Sequence, residues 1–265
     1  MEITAILLAG ASISGLGLLF GLVLGYAGKK FETAEDPRIN EVMQSLPGAN
    51  CGGCGYAGCE AFAAAVLSGE AKVEGCAVNS PEGMQKIFDN LGIKAIRKDK
   101  QVAYVKCNGN FANSLHKYDY NGMDDCGAMM MLPGGGLKAC CYGCLGGGSC
   151  AKVCIFDAIE IKDGAAVIDN EKCTACGICV DKCPKGLIAF KPYNCVISIR
   201  CNSGDLGKVV KSLCGVGCIG CKICEKVCKF EAIRIESGVA MIDYDNCKGC
   251  GVCVKKCPMG VIVAQ

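Results

Sequence analysis

Three observations predict an α+β protein with one membrane-crossing helix, a small cysteine-ligated domain and two tandem modules of like build. Residues Ile3 to Ala27 are 25 positions without a charged side chain. A group of four cysteines follows at Cys51, Cys54, Cys59 and Cys76. Beyond it, a cysteine block recurs after 74 residues: Cys154-IFDAIEIKDGAAVIDNEK-Cys173 and Cys228-KFEAIRIESGVAMIDYDN-Cys247 agree almost position for position.

The apolar run is long enough to span a bilayer as one tilted helix, so residues 1–29 form a transmembrane anchor. Gly17, Gly21 and Gly25 recur every four residues and give a smooth face on which another transmembrane helix could pack. Lys29 and Lys30 follow the run while Glu2 precedes it, which puts the bulk of the chain on the cytoplasmic side by the positive-inside rule. A cleaved signal peptide needs a positive n-region, which Met1-Glu2 does not supply. The linker from Phe31 to Asp36 is short and polar, and a hinge is placed there.

Residues 38–95 make the small domain. The spacing Cys51-x2-Cys54-x4-Cys59-x16-Cys76 offers four thiolates, enough for one [4Fe–4S] cluster. The glycines around it let backbone N–H groups approach a cluster's sulfides. The run from Ala61 to Leu67 predicts a short helix that shields one face. The string Gly53-Cys54-Gly55-Tyr56-Ala57-Gly58 also fits G-x-G-x-x-G, but no strand–helix–strand unit surrounds it, so it is not a dinucleotide site.

After an intermediate region, 96–138, come the two modules, 139–190 and 214–265, joined by a linker, 191–213. The second module reads Cys218-x2-Cys221-x2-Cys224-x3-Cys228, then eighteen residues, then Cys247-x2-Cys250-x2-Cys253-x3-Cys257-Pro258. This is the ligand pattern of a ferredoxin with two [4Fe–4S] clusters, in which each run sends its fourth cysteine to the other cluster. Cys218, Cys221, Cys224 and Cys257 hold one cluster in this reading, and Cys247, Cys250, Cys253 and Cys228 the other. In the first module Cys173, Cys176, Cys179 and Cys154 group likewise. Its opening run departs from the pattern, because five residues separate Cys144 from Cys150 and the extra ones lie in Leu145-Gly146-Gly147-Gly148-Ser149. Its first ligand is Cys140 or Cys141; the irregular loop needs no strict spacing, which favours a set of Cys140, Cys144, Cys150 and Cys183. Strands over Ala158–Ile161 and Ala166–Ile168, and over Ala232–Ile235 and Ala240–Ile242, are expected to pair through turns at Asp163-Gly164 and Ser237-Gly238. A helix is expected to follow each third cysteine. The fold class is thus α+β, with one N-terminal transmembrane helix, a small [4Fe–4S] cluster domain and two tandem ferredoxin-like 2[4Fe–4S] modules.

That accounts for five [4Fe–4S] clusters and leaves Cys107, Cys126, Cys141, Cys195, Cys201 and Cys214. A sixth cluster on Cys107, Cys126, Cys201 and Cys214 stays open, as free cysteines are often small buried hydrophobes. Zinc also takes four cysteines, yet paired x2, x2, x3 runs followed by proline are cluster sites. A disulfide scaffold needs an oxidising compartment, against which the cluster spacings argue. The lone histidine, His116, reads as a packing or surface residue. A net charge of +2 gives no polybasic signature for nucleic acid. No catalytic triad, phosphate loop, paired-carboxylate site or flavin motif stands out.

The N-terminal apolar helix, the motif LPGANCGGCGYAGCEAF with Cys76, the run YGCLGGGSCAKVC and the tandem repeat together resemble the B subunit of Rnf complexes, over essentially the whole chain. The resemblance implies the electron-transfer subunit of a translocase in the bacterial cytoplasmic (inner) membrane, single-pass with its cluster domains in the cytoplasm. It implies that soluble ferredoxin supplies electrons, that other Rnf-type membrane and flavin-carrying subunits take them on to NAD+, and that Na+ or H+ export is coupled to their passage. The glycine-expanded loop at Gly146–Gly148 belongs to the resemblance. Ile155 and Lys229 depart from ferredoxins, which commonly carry proline there. Two other classes fit the residues: a reverse relay that supplies low-potential electrons to ferredoxin, nitrogenase or a redox regulator, and a tethered iron–sulfur sensor. Membrane partners and activity with ferredoxin plus NAD+ separate the three.

Overall fold

The computed structural model describes residues 2–30, 36–93 and 99–264. It divides into a unit of residues 1–41 and a unit of residues 42–265. The first unit holds helix α1 (Glu2–Lys30), whose segment Gly10–Lys30 is long and apolar enough to cross a membrane. A Cβ built on Gly17, Gly21 or Gly25 would meet nothing within 4 Å, so the smooth face is open. The expected hinge falls mostly on residues 31–35, outside the described residues. A short helix, α2 (Arg38–Gln44), closes this unit and begins the next.

The expected helix of the small domain is α3 (Cys59–Ser68), with Phe62, Ala63 and Val66 buried. Helix α4 (Pro81–Leu91) starts with Ser80 as its cap, the Ser80 hydroxyl accepting from Gly83 N–H at 3.0 Å. Its apolar residues Ile87 and Phe88 face inward.

Strand β1 (Gln101–Val105), helix α5 (Cys126–Met130) and helix α6 (Ser149–Lys152) lead to the first hairpin, β2 (Ile159–Lys162) with β3 (Ala165–Ile168). Its register, Ile159 opposite Ile168, is the one the alternation demands. The turn uses Asp163 at φ 48° and Gly164 at φ 73°, the two left-handed residues of a type I′ turn. Then come α7 (Ile178–Lys182), β4 (Ile188–Pro192), β5 (Ile197–Ile199) and α8 (Gly207–Leu213). The second module follows the same plan: α9 (Ile223–Val227), β6 (Ile233–Glu236) paired with β7 (Val239–Ile242), α10 (Val252–Lys256) and β8 (Ile262–Ala264). Each third cysteine, including Cys150, lies inside its helix rather than ahead of it.

The stretches read from the sequence as an intermediate region and a linker are woven into the modules. Strand β1 pairs antiparallel with β4, and β5 pairs antiparallel with β8. The registers correspond: Val105 faces Ile188 as Ile199 faces Ile262, and Ala103 faces Phe190 as Ile197 faces Ala264. Each module therefore has a core of two small sheets with cysteine sulfurs among the aliphatic residues. Val102, Val105, Ile159, Ile168 and Ile188 pack with Cys144, Cys150, Cys173 and Cys179 in the first. Ile197, Ile199, Ile233 and Val261 pack with Cys218, Cys224 and Cys253 in the second.

Candidate metal centres

Cys51, Cys54, Cys59 and Cys76 line one cavity, with Phe62 as part of its wall. Asn50, at φ 45°, accepts a hydrogen bond from Cys59 N–H on its side-chain oxygen at 2.8 Å and so ties the cysteine loop to the start of α3. Cys176 of the first module lines the same cavity.

In the first module, Cys179 lies within electrostatic reach of Cys173, Cys176 and Cys154, and of Cys150 of the neighbouring set as well. Backbone N–H groups point at these sulfurs: Ala103 donates to Cys173 Sγ at 3.3 Å and Ala158 to Cys154 Sγ at 3.4 Å. In the second module, Cys218, Cys221, Cys224 and Cys257 line one cavity. Cys253 feels Cys250 and Cys228, and Cys247 feels Cys253, which gathers the other set. Cys195 is adjacent to that set, its sulfur 3.9 Å from Cys247 Sγ.

The opening run of the first module differs from its sequence reading. Cys144, Cys150 and Cys183 line a cavity together with Cys126, not with Cys140. Cys140 lines another cavity with Cys107, Cys201 and Cys214. Cys126 and Cys140 thus exchange the places expected of them, and Cys141 is exposed. The reason lies in the register of the repeat. At the spacing of 74 residues, Cys144 corresponds to Cys218, Cys150 to Cys224, and Gly147 to Cys221. The glycine loop is therefore no expansion; a glycine stands where the second cysteine would be. A Cβ on Gly147 would lie 2.8 Å from Met129 Sδ and 3.0 Å from Cys126 N, so α5 fills the vacant side-chain position and brings Cys126 with it. Ser149 fixes this arrangement, its hydroxyl donating to Asp125 Oδ2 at 2.9 Å and accepting from Cys126 N–H at 2.7 Å. The correspondence of Cys218 with Cys144, rather than with Cys140, was the signal in the sequence that would have found this.

Burial dominates the chemistry of the thiols. It pushes Cys150 and Cys179 up to about 12, and Cys201, Cys224 and Cys247 up to about 11, with nearby sulfurs adding to the effect. At neutral pH such groups are neutral unless a metal displaces the proton. His116 is exposed and stacks edge-on to Phe111 with ring centroids 4.8 Å apart, so it is a packing residue.

The thiols stand around cavities instead of meeting at a point. Among the described residues no group of three or more His, Cys, Asp or Glu converges as a single metal ion requires. A [4Fe–4S] cluster distributes its ligands over several irons, which suits thiols set about a cavity. Four-cysteine cavities with N–H groups aimed at the sulfurs fit iron–sulfur clusters.

Fold and sites define an iron–sulfur protein of the multi-cluster ferredoxin type. Residues 46–78 match the family described as "Putative Fe-S cluster", residues 166–189 a 4Fe-4S binding domain and residues 217–262 a 4Fe-4S dicluster domain. The chain is 42% identical over 261 residues to the B subunit of the Na(+)-translocating ferredoxin:NAD(+) oxidoreductase complex of Acetobacterium woodii, covering 98% of this chain and 78% of the relative. It is 41% identical to the B subunit of the ion-translocating oxidoreductase complex of Methanosarcina acetivorans, covering 95% and 96%. To the B subunit of the proton-translocating ferredoxin:NAD(+) oxidoreductase complex of Clostridium ljungdahlii it is 39% identical, covering 94% and 89%. The chain belongs to the family of B subunits of these Rnf-type ion-translocating oxidoreductase complexes.

Proposed function

We propose that this chain takes electrons from reduced ferredoxin and relays them along a row of [4Fe–4S] sites to partner subunits that reduce NAD+ and export Na+ or H+. Four adjacencies between neighbouring thiol groups, two of them through the cavity of Cys107, Cys140, Cys201 and Cys214, support the reading. Cys176 belongs to one set and lines the cavity of Cys51, Cys54, Cys59 and Cys76. Cys179 feels Cys150 across the two sets of the first module. Cys144 N–H donates to Cys107 Sγ at 3.3 Å, and Cys201 feels Cys218. The thiol sets therefore follow one another from the small domain to the second module.

The ligand sets in this reading are Cys51, Cys54, Cys59 and Cys76; Cys154, Cys173, Cys176 and Cys179; Cys126, Cys144, Cys150 and Cys183; Cys218, Cys221, Cys224 and Cys257; and Cys228, Cys247, Cys250 and Cys253. When bound, such a group supplies reversible one-electron transfer at a potential set by hydrogen bonds, charge and solvent exposure. The chain's own part is to deliver thiolates, aim N–H groups at them and exclude water. Cys221 and Cys250 are exposed, which makes the second module the accessible end for a soluble electron donor. Helix α1 anchors the chain in the membrane, and Lys29 and Lys30 at its end favour cytoplasmic placement of the modules.

The test is anaerobic purification of the full chain, with iron and acid-labile sulfide per chain and EPR after reduction. Five clusters imply about twenty irons. Reduced ferredoxin should develop the same EPR signals as dithionite. A chain that holds zinc and little iron, or whose clusters ferredoxin leaves oxidised, overturns the reading.

A further inference from the structure

The cavity lined by Cys107, Cys140, Cys201 and Cys214 lies where the two modules meet. Each module contributes to it in the same way. Val105-Lys106-Cys107-Asn108 and Ile199-Arg200-Cys201-Asn202 are equivalent segments 94 residues apart. Both leave the end of an edge strand in the same register. Lys106 N–H donates to Leu187 O at 2.7 Å, and Arg200 N–H to the equivalent Val261 O at 3.0 Å. Cys140 and Cys214 are likewise equivalent, 74 residues apart and each four positions before the first cysteine of its module. Each half thus supplies two thiols.

Backbone bonds close the two halves on each other. Asn108 N–H donates to Arg200 O at 3.0 Å, Leu115 N–H to Leu213 O at 2.9 Å, and Gly215 N–H to Asn113 O at 2.8 Å. The sulfurs of Cys214 and Cys107 lie 3.4 and 3.7 Å from the point a Cβ on Gly109 would occupy, so only a residue without a side chain leaves the space between them free. Two buried cations line the cavity. Lys138 is 3% exposed and donates to Gly109 O at 2.5 Å and Gly164 O at 2.8 Å; Arg200 is 7% exposed and donates to Val105 O at 3.4 Å. Among the described residues neither forms an ion pair with a carboxylate. Buried cations call for a negative partner, and four thiolates around an iron–sulfur core would supply one.

We propose that Cys107, Cys140, Cys201 and Cys214 hold a sixth [4Fe–4S] cluster at the junction of the two modules, an inference that rests on the iron–sulfur reading above. This site fills the interval between Cys144 of one module and Cys218 of the other, and makes the row of sites continuous. Lys138 and Arg200 bias it toward a higher potential than sites without buried cations.

The experiment is native mass spectrometry of the full-length chain, purified anaerobically in detergent, with iron and sulfide analysis beside it. Six clusters per chain, about twenty-four irons, are expected; five clusters overturn the inference and leave the relay reading standing, and absence of iron overturns both. Paired substitutions assign the ligands. Cys107→Ala with Cys140→Ala removes two ligands of one site, and the chain should lose one cluster with the other sites intact. Cys107→Ala with Cys126→Ala strikes two sites, and two clusters should be lost or reduced to three-iron forms. The opposite pattern returns Cys126 to the junction and overturns the assignment. The cluster count of the unsubstituted chain decides the main point even where a variant fails to fold.

Discussion

Gly53 lies so near the carbonyl of Cys176 that a Cβ on the glycine would stand 2.6 Å from that oxygen and 3.1 Å from the Cys176 Cβ. The loop of the small domain and a thiolate loop of the first module are thus in backbone contact. Gly53→Ala forces them apart, and overpacking of this kind costs about 1–3 kcal/mol. The variant should lose its visible cluster absorption at a lower temperature than wild type. The EPR line shape from magnetic coupling between these two sites should also weaken, while iron per chain is unchanged. An unaltered melting point and line shape would show that the contact does not hold the two loops together.

Ser149 holds Cys126 in place by accepting from its N–H while donating to Asp125, which in turn caps α5 by accepting from Ala128 N–H at 2.9 Å. Ser149→Ala leaves the buried Cys126 N–H without its acceptor, at about 1–3 kcal/mol. Chelator-driven iron release should speed up at one site only, the site of Cys126, Cys144, Cys150 and Cys183. Equal release from all sites would mean that the strap does not govern Cys126.

Gly147 occupies the position of the missing second cysteine, but its surroundings no longer admit a side chain. Met129 Sδ, Asp125 C and Cys126 N all lie within 3.0 Å of the point a Cβ would take. Cys126→Ala should therefore lose a cluster or convert it to a three-iron form, and adding Gly147→Cys should not restore it. Restoration of full iron content in the double variant would show that α5 yields, and that the regular ferredoxin spacing remains accessible.

Much of this was legible in the cysteine spacing. The runs from Cys173 to Cys183 and from Cys218 to Cys257 are spaced for crossed ligand pairs, and Cys218, Cys221, Cys224 and Cys257 do line one cavity. The two hairpins were readable from Asp163-Gly164 and Ser237-Gly238, whose positive φ angles match the turn type. What the local pattern did not carry was the origin of the ligand that replaces Gly147. Cys126 arrives from the long stretch between Cys107 and Cys140, whose counterpart between Cys201 and Cys214 is twenty residues shorter. The place of Cys126 depends on how α5 packs over Gly147 and bonds to Ser149, which no spacing near Cys144 encodes. The paired segments Val105-Lys106-Cys107-Asn108 and Ile199-Arg200-Cys201-Asn202 match Cys107 with Cys201 and leave Cys126 without a counterpart, once Cys144 is aligned with Cys218.

Lys191 is 1% exposed and its ammonium has no hydrogen-bond partner among the described residues. Burial pushes its pKa below the ordinary lysine value, partly offset by Cys195. Because the lowered value belongs to the folded state, the unfolded chain binds more protons between the two values. Stability therefore rises with pH across that window, up to the ordinary lysine range, and the penalty is largest below it. Lys191→Met removes the unpaired donor at similar volume and should stabilise the fold by roughly 1–3 kcal/mol near neutral pH. The gain over wild type should shrink as the pH climbs toward the ordinary lysine value, read as thermal midpoints of both proteins at matched pH. A variant less stable than wild type at neutral pH would instead mean that the Lys191 charge is matched by the cluster-ligand sulfurs beyond Cys195, and that its burial is compensated.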